Sequence, residues 1–250
     1  MRRRLNNRVA DAAGSTTPQN SMATDGGSAD QLSLSPSVTG DRQVFTVFGA
    51  VYASALTGDK DIFHAREDAD NMWILRIDDG KIEIKTTVAA TTKSMFTTDT
   101  LSVDTWYGIM VSVDTTQATA SNRQKIYFAT YGTEPALVSS FDTEEYMAQN
   151  SNMATNYASA THYISNAYNG NNDWNGLLCW MALVDGQQLT PSDVFTTGDL
   201  DGTNIAALTW GTNGAWFKSE NASDQGEDYS GNGNDYTVDG TPTQSATVPS

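Results

Sequence analysis

Residues whose types and spacing could do chemistry are few in this 250-residue sequence, and they are scattered. Cleavage of a glycosidic bond needs two carboxylates flanking it, about 5 to 5.5 Å apart in retaining enzymes. Glu83 stands alone between Ile82 and Ile84, while Glu144 and Glu145 are adjacent, so their side chains point apart on extended chain. The single cysteine, Cys179, lies in the apolar run Leu177-Leu178-Cys179-Trp180-Met181. A nucleophilic thiol needs a basic partner, and the histidines are only His64 and His162. Cys179 therefore reads as a buried core thiol, the histidines as strand residues, and the chain as a non-enzyme.

Binding chemistry is better represented. Tyr168-Asn169-Gly170-Asn171-Asn172-Asp173-Trp174 joins aromatic faces to amides and a carboxylate, the groups that hold sugars by stacking and hydrogen bonding. Tyr168, Asn169, Asn172, Asp173 and Trp174 are its candidate glycan contacts; the alternative is a polar loop in which Trp174 plugs the edge of the fold. Asp199, Asp201 and Asn204 offer hard oxygens in a Gly-containing turn, a weak calcium candidate without the third acid and terminal Glu of an EF-hand loop. Asp228, Asn232, Asn234 and Asp235 could also hold a cation, but left-handed turns suffice to explain Ser-Gly-Asn-Gly-Asn. No other cofactor is implied.

Thirty acidic against fourteen basic residues give a formal charge of -16, so the body should repel nucleic acid and anionic lipid. Arg2, Arg3, Arg4 and Arg8 form an opposite pole. They suit an ordinary solvated terminus, a nucleic-acid tail or an anchor on an acidic protein surface, and the anchor is preferred. Leu5-Asn6-Asn7-Arg8-Val9-Ala10-Asp11 supplies no apolar core for a signal peptide, and no stretch approaches the length of a membrane span. A soluble chain is expected.

The elements that must position these groups are strands. Residues 1–40 are rich in Ser, Thr, Gly, Asp and Gln, which predicts an extended low-complexity arm with a basic start ahead of one domain over 41–250. β-rich runs then cover 43–52, 61–65, 104–113, 125–131, 161–165 and 176–184. Met72-Trp73-Ile74-Leu75-Arg76-Ile77, the turn Asp78-Asp79-Gly80 and Lys81 to Val88 predict a hairpin whose second strand alternates apolar and polar residues. Thr190-Pro191-Ser192-Asp193 has the grammar of a single helical turn. Ala206 to Trp210 and Tyr236 to Val238 read as short late strands.

Four places in this series resemble the laminin-G-like branch of the concanavalin A-like jelly rolls, over about residues 43 to 240. They are the hairpin at Asp78-Asp79-Gly80, Thr105-Trp106-Tyr107 with Lys125-Ile126-Tyr127-Phe128, the stretch from Trp174-Asn175-Gly176 to Val194, and Asp228 to Thr243. In the second, Ala129-Thr130-Tyr131-Gly132 stands where the family has Asn-Gly. The resemblance implies an all-β, two-sheet antiparallel jelly-roll sandwich. The related glucanases carry their acids as Glu-x-Asp-x-x-Glu on one strand, and no such run occurs here.

The Asp228-Tyr229-Ser230-Gly231-Asn232-Gly233-Asn234 segment is similar to structural proteins of tailed bacteriophages. That likeness implies a virion subunit, decorating the capsid or associated with the tail, soluble in the host cytoplasm before assembly. Its arm would contact capsid or tail proteins and identical subunits would meet about a symmetry axis. A lectin-like module recognising a host surface glycan is the alternative expectation, and a diverged glycoside hydrolase acting through Glu83 a more distant one.

Overall fold

The structure is a computed structural model that describes residues 16–26 and 30–250. In chain order the early strands are β1 (Ser21–Asp25), β2 (Gln31–Leu34), β3 (Val44–Ala53), β4 (Asp59–Arg66), β5 (Met72–Asp78), β6 (Lys81–Val88) and β7 (Thr91–Thr100). Next come β8 (Trp106–Asp114), β9 (Gln124–Thr130), β10 (Ala136–Leu137), β11 (Phe141–Glu144), β12 (Thr161–Ile164) and β13 (Asn175–Asp185). β14 (Phe195–Thr196), β15 (Asp199–Leu200), helix α1 (Gly202–Ala206), β16 (Ala215–Phe217), β17 (Thr237–Asp239) and β18 (Thr243–Ser245) complete the chain.

The long strands form two antiparallel sheets. The first runs β10-β9-β8-β3-β13-β1-β18, with β16 also paired to β13, and the second runs β11-β7-β6-β5-β4-β12-β2-β17. Alternation along the strands builds the core between them: Phe45, Val47, Ile109, Val111 and Leu183 from the first sheet meet Phe63, Trp73, Leu75, Ile82 and Ile84 from the second. The two-sheet jelly-roll sandwich expected from the sequence is the fold observed. The hairpin turn is Asp79-Gly80, both residues at positive φ, 46° and 86°, as a two-residue turn between right-twisted strands requires.

β13 is apolar from Gly176 to Val184 because both of its faces are buried there. A bulge at Trp180 (φ 49°) shifts the register between Cys179 and Ala182 and turns both Cys179 and Trp180 outward, onto the far face of the first sheet. Phe48, Met110, Val194, Phe195, Trp210 and Trp216 join them there in a second apolar cluster, as residues 189–217 fold back across the sheet. Cys179 is a core thiol whose pKa burial pushes up, with Sγ donating to the Asn20 carbonyl at 3.4 Å. Gly176, at φ 145°, has no room for a side chain, since a Cβ would lie 2.0 Å from the Tyr52 carbonyl oxygen.

Two sequence expectations are corrected. Part of the expected arm over residues 1–40 belongs to the sandwich, because β1 pairs with β13 and β18, β2 pairs with β12 and β17, and Met22 and Leu32 are core residues. Strands of four or five residues carrying one core side chain each hold chiefly by backbone pairing, which composition does not report. The expected strand at Ala206 to Trp210 is instead the end of α1 and a loop. The single turn at Pro191–Asp193 is present as a 3-10 turn, with the Asp193 carboxylate accepting from the Thr190 backbone N–H at 2.7 Å.

Candidate functional site

The second sheet turns a different chemistry outward. On β4, Phe63 and Ala65 enter the core, so His64 and Arg66 point away from it. On β5 and β6 the same alternation sets Arg76 opposite Glu83, and Ser94 of β7 lies beside them. The Arg76 guanidinium donates to the carboxylates of both Glu83 and Asp59, while Ser94 Oγ donates to Glu83 Oε1 at 2.9 Å. Burial raises the pKa of Glu83 against the opposing pull of Arg76. Glu83, the expected site of a diverged hydrolase, thus sits in an ion network with both oxygens engaged.

His64 is only 2% exposed, and its Nδ1 meets the Asp61 carboxylate at 2.9 Å. Asp61 also fastens the loop between β12 and β13, since Asn172 Nδ2 donates to Asp61 Oδ1 at 3.2 Å and the Asp61 backbone N–H donates to the Asn172 carbonyl at 2.9 Å. A second clamp within the loop joins Asn166 Nδ2 to the Asp173 carboxylate, whose pKa burial raises and Lys60 opposes. Between these fixed points the tip carries Tyr168, 46% exposed, with Asn169 and Asn171 also exposed.

The Tyr168 ring is held where it stands. The Arg66 guanidinium carbon lies 3.8 Å from its centroid, and the His64 ring meets it edge-on at 5.9 Å, with Tyr163 edge-on to His64 at 6.0 Å. Pairing of β4 with β12 brings this group together, because Tyr163 is registered opposite His64. Sequence reading missed the contribution of His64, Arg66 and Tyr163; the available signal was their spacing, with His64 and Arg66 two residues apart on one strand face.

Of the expected glycan contacts, Tyr168 and Asn169 are exposed, and Asn172 and Asp173 are half-buried and occupied in holding the loop. Trp174 is a correction: its side chain is 0% exposed within the main core, so it plugs the sandwich and cannot stack on a sugar. Two of the three calcium candidates, Asp201 and Asn204, are committed to local hydrogen bonds, while Asp199 Oδ1 is buried without a partner. Asp201 caps α1, accepting from the backbone N–H groups of Thr203 at 2.8 Å and Asn204 at 3.2 Å, and from Thr196 Oγ1 at 2.8 Å. Asn204 Nδ2 donates to Thr196 Oγ1 at 3.4 Å, and Asp199 lies with Asp201 beside Thr16 and Thr17 in a surface hollow.

The Ser-Gly-Asn-Gly-Asn segment is a clip. Asp228 accepts from the backbone N–H groups of Trp216, Ser230 and Asn234 at 2.8 to 3.0 Å. Asn232 Nδ2 donates to the carbonyls of Gly211 and Gly214, and Asn234 Nδ2 to those of Thr212 and Gly214. The segment whose likeness carried the phage expectation therefore pins the loop that covers the first sheet. The expected anchors Arg2, Arg3, Arg4 and Arg8 lie outside the described residues.

Fold and surface together define a two-sheet antiparallel jelly-roll sandwich with one covered sheet and one polar, partly aromatic sheet face. No protein-family model matches the chain, and no curated protein matches it. Among solved structures it is similar to a candidate carbohydrate-binding protein from Bacteroides ovatus, at 13% identity and TM-score 0.61, over 94% of this chain and 61% of that one. It is also similar to domain 4 of AbnA, a GH43 extracellular arabinanase from Geobacillus stearothermophilus, in complex with arabinotriose. That match has 16% identity and TM-score 0.50, over 72% of this chain and 76% of that one. Mouse laminin α1 domains LG4-5 match at 12% identity and TM-score 0.46, over 72% of this chain and 45% of that one. At such identities the likeness to the first two of these establishes the fold alone.

Proposed function

We propose that this chain is a non-catalytic, lectin-like glycan-binding module that takes saccharide at the Tyr168 loop on the outer face of the second sheet. The observation that carries the reading is the Tyr168 ring, nearly half exposed yet fixed against Arg66 and His64, at the tip of a loop whose other exposed groups are amides. An aromatic ring already held in place loses little freedom when a sugar stacks on it, and neighbouring Asn169 and Asn171 supply donors and acceptors for hydroxyls. Support of a coarser kind comes from the Bacteroides ovatus and AbnA structures, whose shared fold is put to carbohydrate binding in those proteins' own descriptions.

The test is a glycan array followed by calorimetric titration of the strongest hits against wild type, Tyr168→Phe and Tyr168→Ala. Tyr168→Phe should keep affinity within about threefold and Tyr168→Ala should lose about tenfold or more, the size of a lost aromatic contact. Unchanged affinity in Tyr168→Ala would move the site elsewhere, and no binding to any glycan would remove the reading. Display of the module on a virion is a separate proposal resting on Arg2, Arg3, Arg4 and Arg8. Mass spectrometry of particles assembled with the full chain or with a chain lacking residues 1–15 tests it, and equal incorporation would defeat it.

A further inference from the structure

Two polar atoms under the Tyr168 ring have no partner. His64 Nε2 and Arg66 Nε are both buried without a hydrogen bond. Among the described residues the Arg66 guanidinium has neither a hydrogen-bond acceptor nor an ion-pair carboxylate, and it lies against the face of Tyr168. The other arginines among the described residues are engaged: Arg76 with Glu83 and Asp59, Arg123 with three backbone carbonyls, Arg42 with the Met153 carbonyl. Arg66 differs from these three in having neither a carboxylate nor a backbone carbonyl for its guanidinium.

The two free groups are complementary rather than alike. Because His64 Nδ1 faces the Asp61 carboxylate, Nδ1 carries the proton in the neutral ring, which leaves Nε2 as an acceptor. Arg66 is a donor only, with the planar fork that matches a carboxylate. An acceptor for a hydroxyl and a cationic donor for a carboxylate, two residues apart on one strand face and under one aromatic ring, fit a hydroxy acid built on a sugar ring.

We propose that the glycan taken at this site is an acidic saccharide bearing a single carboxylate, of the uronic or nonulosonic acid class, with the carboxylate on Arg66 and a ring hydroxyl on His64 Nε2. The inference rests on the Tyr168 reading of the preceding section. A densely sulfated polymer is disfavoured by the net charge of -16, which repels a polyanion while costing a monoanion far less.

The experiment titrates the full chain with methyl glucuronide, methyl galacturonide and N-acetylneuraminic acid, and with methyl glucoside and methyl galactoside as neutral counterparts. At least one acidic sugar should bind about tenfold tighter than its neutral counterpart, and Arg66→Gln should abolish that preference, read as the ratio of acidic to neutral affinity within the same variant. Should Arg66→Gln fold poorly, wild type gives the same answer, since the preference must shrink as sodium chloride rises from about 0.02 to 0.5 M. Equal binding of acidic and neutral sugars, or a preference indifferent to both Arg66→Gln and salt, overturns this inference and leaves the glycan reading standing. Failure of every sugar to bind overturns both.

Discussion

The two sheets share one core but finish their outer faces in opposite ways. The first sheet is roofed: Trp180 and Trp216 meet edge-to-face at 5.0 Å, Trp210 stacks on Trp216 at 6.1 Å, and Lys218, 3% exposed, lies within 5.3 Å of the rings of Trp180, Trp216 and Tyr229. The second sheet's outer side carries the buried polar groups His64, Arg76 and Glu83 with the half-buried Arg66 and Lys85, and Tyr168 rests on its edge. Three aromatic rings fix the roof, whereas one ring rests on an unpaired cation at the other face. The difference separates residues that hold the fold from residues free to meet a ligand.

Substitutions on the roof should have the largest effects on stability. Trp216→Ala removes the ring that touches Trp180, Trp210 and Lys218 and should cost about 3 to 5 kcal/mol in urea unfolding. Asp185→Ala is next. Its carboxylate accepts from the backbone N–H groups of Asp41 at 2.8 Å, Asn213 at 3.0 Å and Thr212 at 3.1 Å, tying the roof loop to the strand it covers. Leaving those donors unsatisfied should cost about 2 to 3 kcal/mol. A loss under about 1 kcal/mol in Trp216→Ala would mean that the roof is an adaptable surface, and the contrast between the faces would fail.

How much of this was legible in the sequence follows the same division. Strands with strong alternation, such as Lys81 to Val88, and the continuous apolar run from Gly176 to Val184 declared themselves, and with them the sandwich. β7 did not, because Thr91-Thr92-Lys93-Ser94-Met95-Phe96-Thr97-Thr98 places only Met95 and Thr97 in buried positions and reads as polar chain. β1 and β2 were hidden for the same reason. At the candidate site the loop tip was visible as Tyr168 and Asn169, but its platform was not. His64 and Arg66 acquire meaning only when β4 pairs with β12, a contact about 100 residues away in sequence that local pattern does not encode.

The two histidines carry the comparison into pH. His162 points inward from β12, fully buried, with Nε2 accepting from the Asn156 backbone N–H at 3.1 Å and Nδ1 beside the Tyr236 hydroxyl at 3.2 Å. Burial pushes its pKa down to about 3. The unfolded chain, with an ordinary histidine near 6.5, therefore takes up a proton that the folded chain refuses. Stability from this group is complete above the unfolded value and is lost as pH falls from about 6.5 toward 3, at up to about 1.4 kcal/mol per pH unit. Between pH 7 and 5, urea titration of wild type should show about 2 kcal/mol more loss than His162→Gln, and equal losses would place the pH sensitivity elsewhere.

The smallest change in stability is expected at Tyr168. Its ring touches Arg66 and His64 but adds nothing to the core, so Tyr168→Ala should alter unfolding free energy by no more than about 1 kcal/mol, the worth of an exposed cation–π contact. The loop should survive it, since Asn172 and Asp173 rather than Tyr168 fasten it to Asp61 and Asn166. Glycan affinity is nonetheless the quantity this variant should lose. A stability loss near that of Trp216→Ala would instead make Tyr168 a roof residue, and the second sheet would then be closed by the same means as the first.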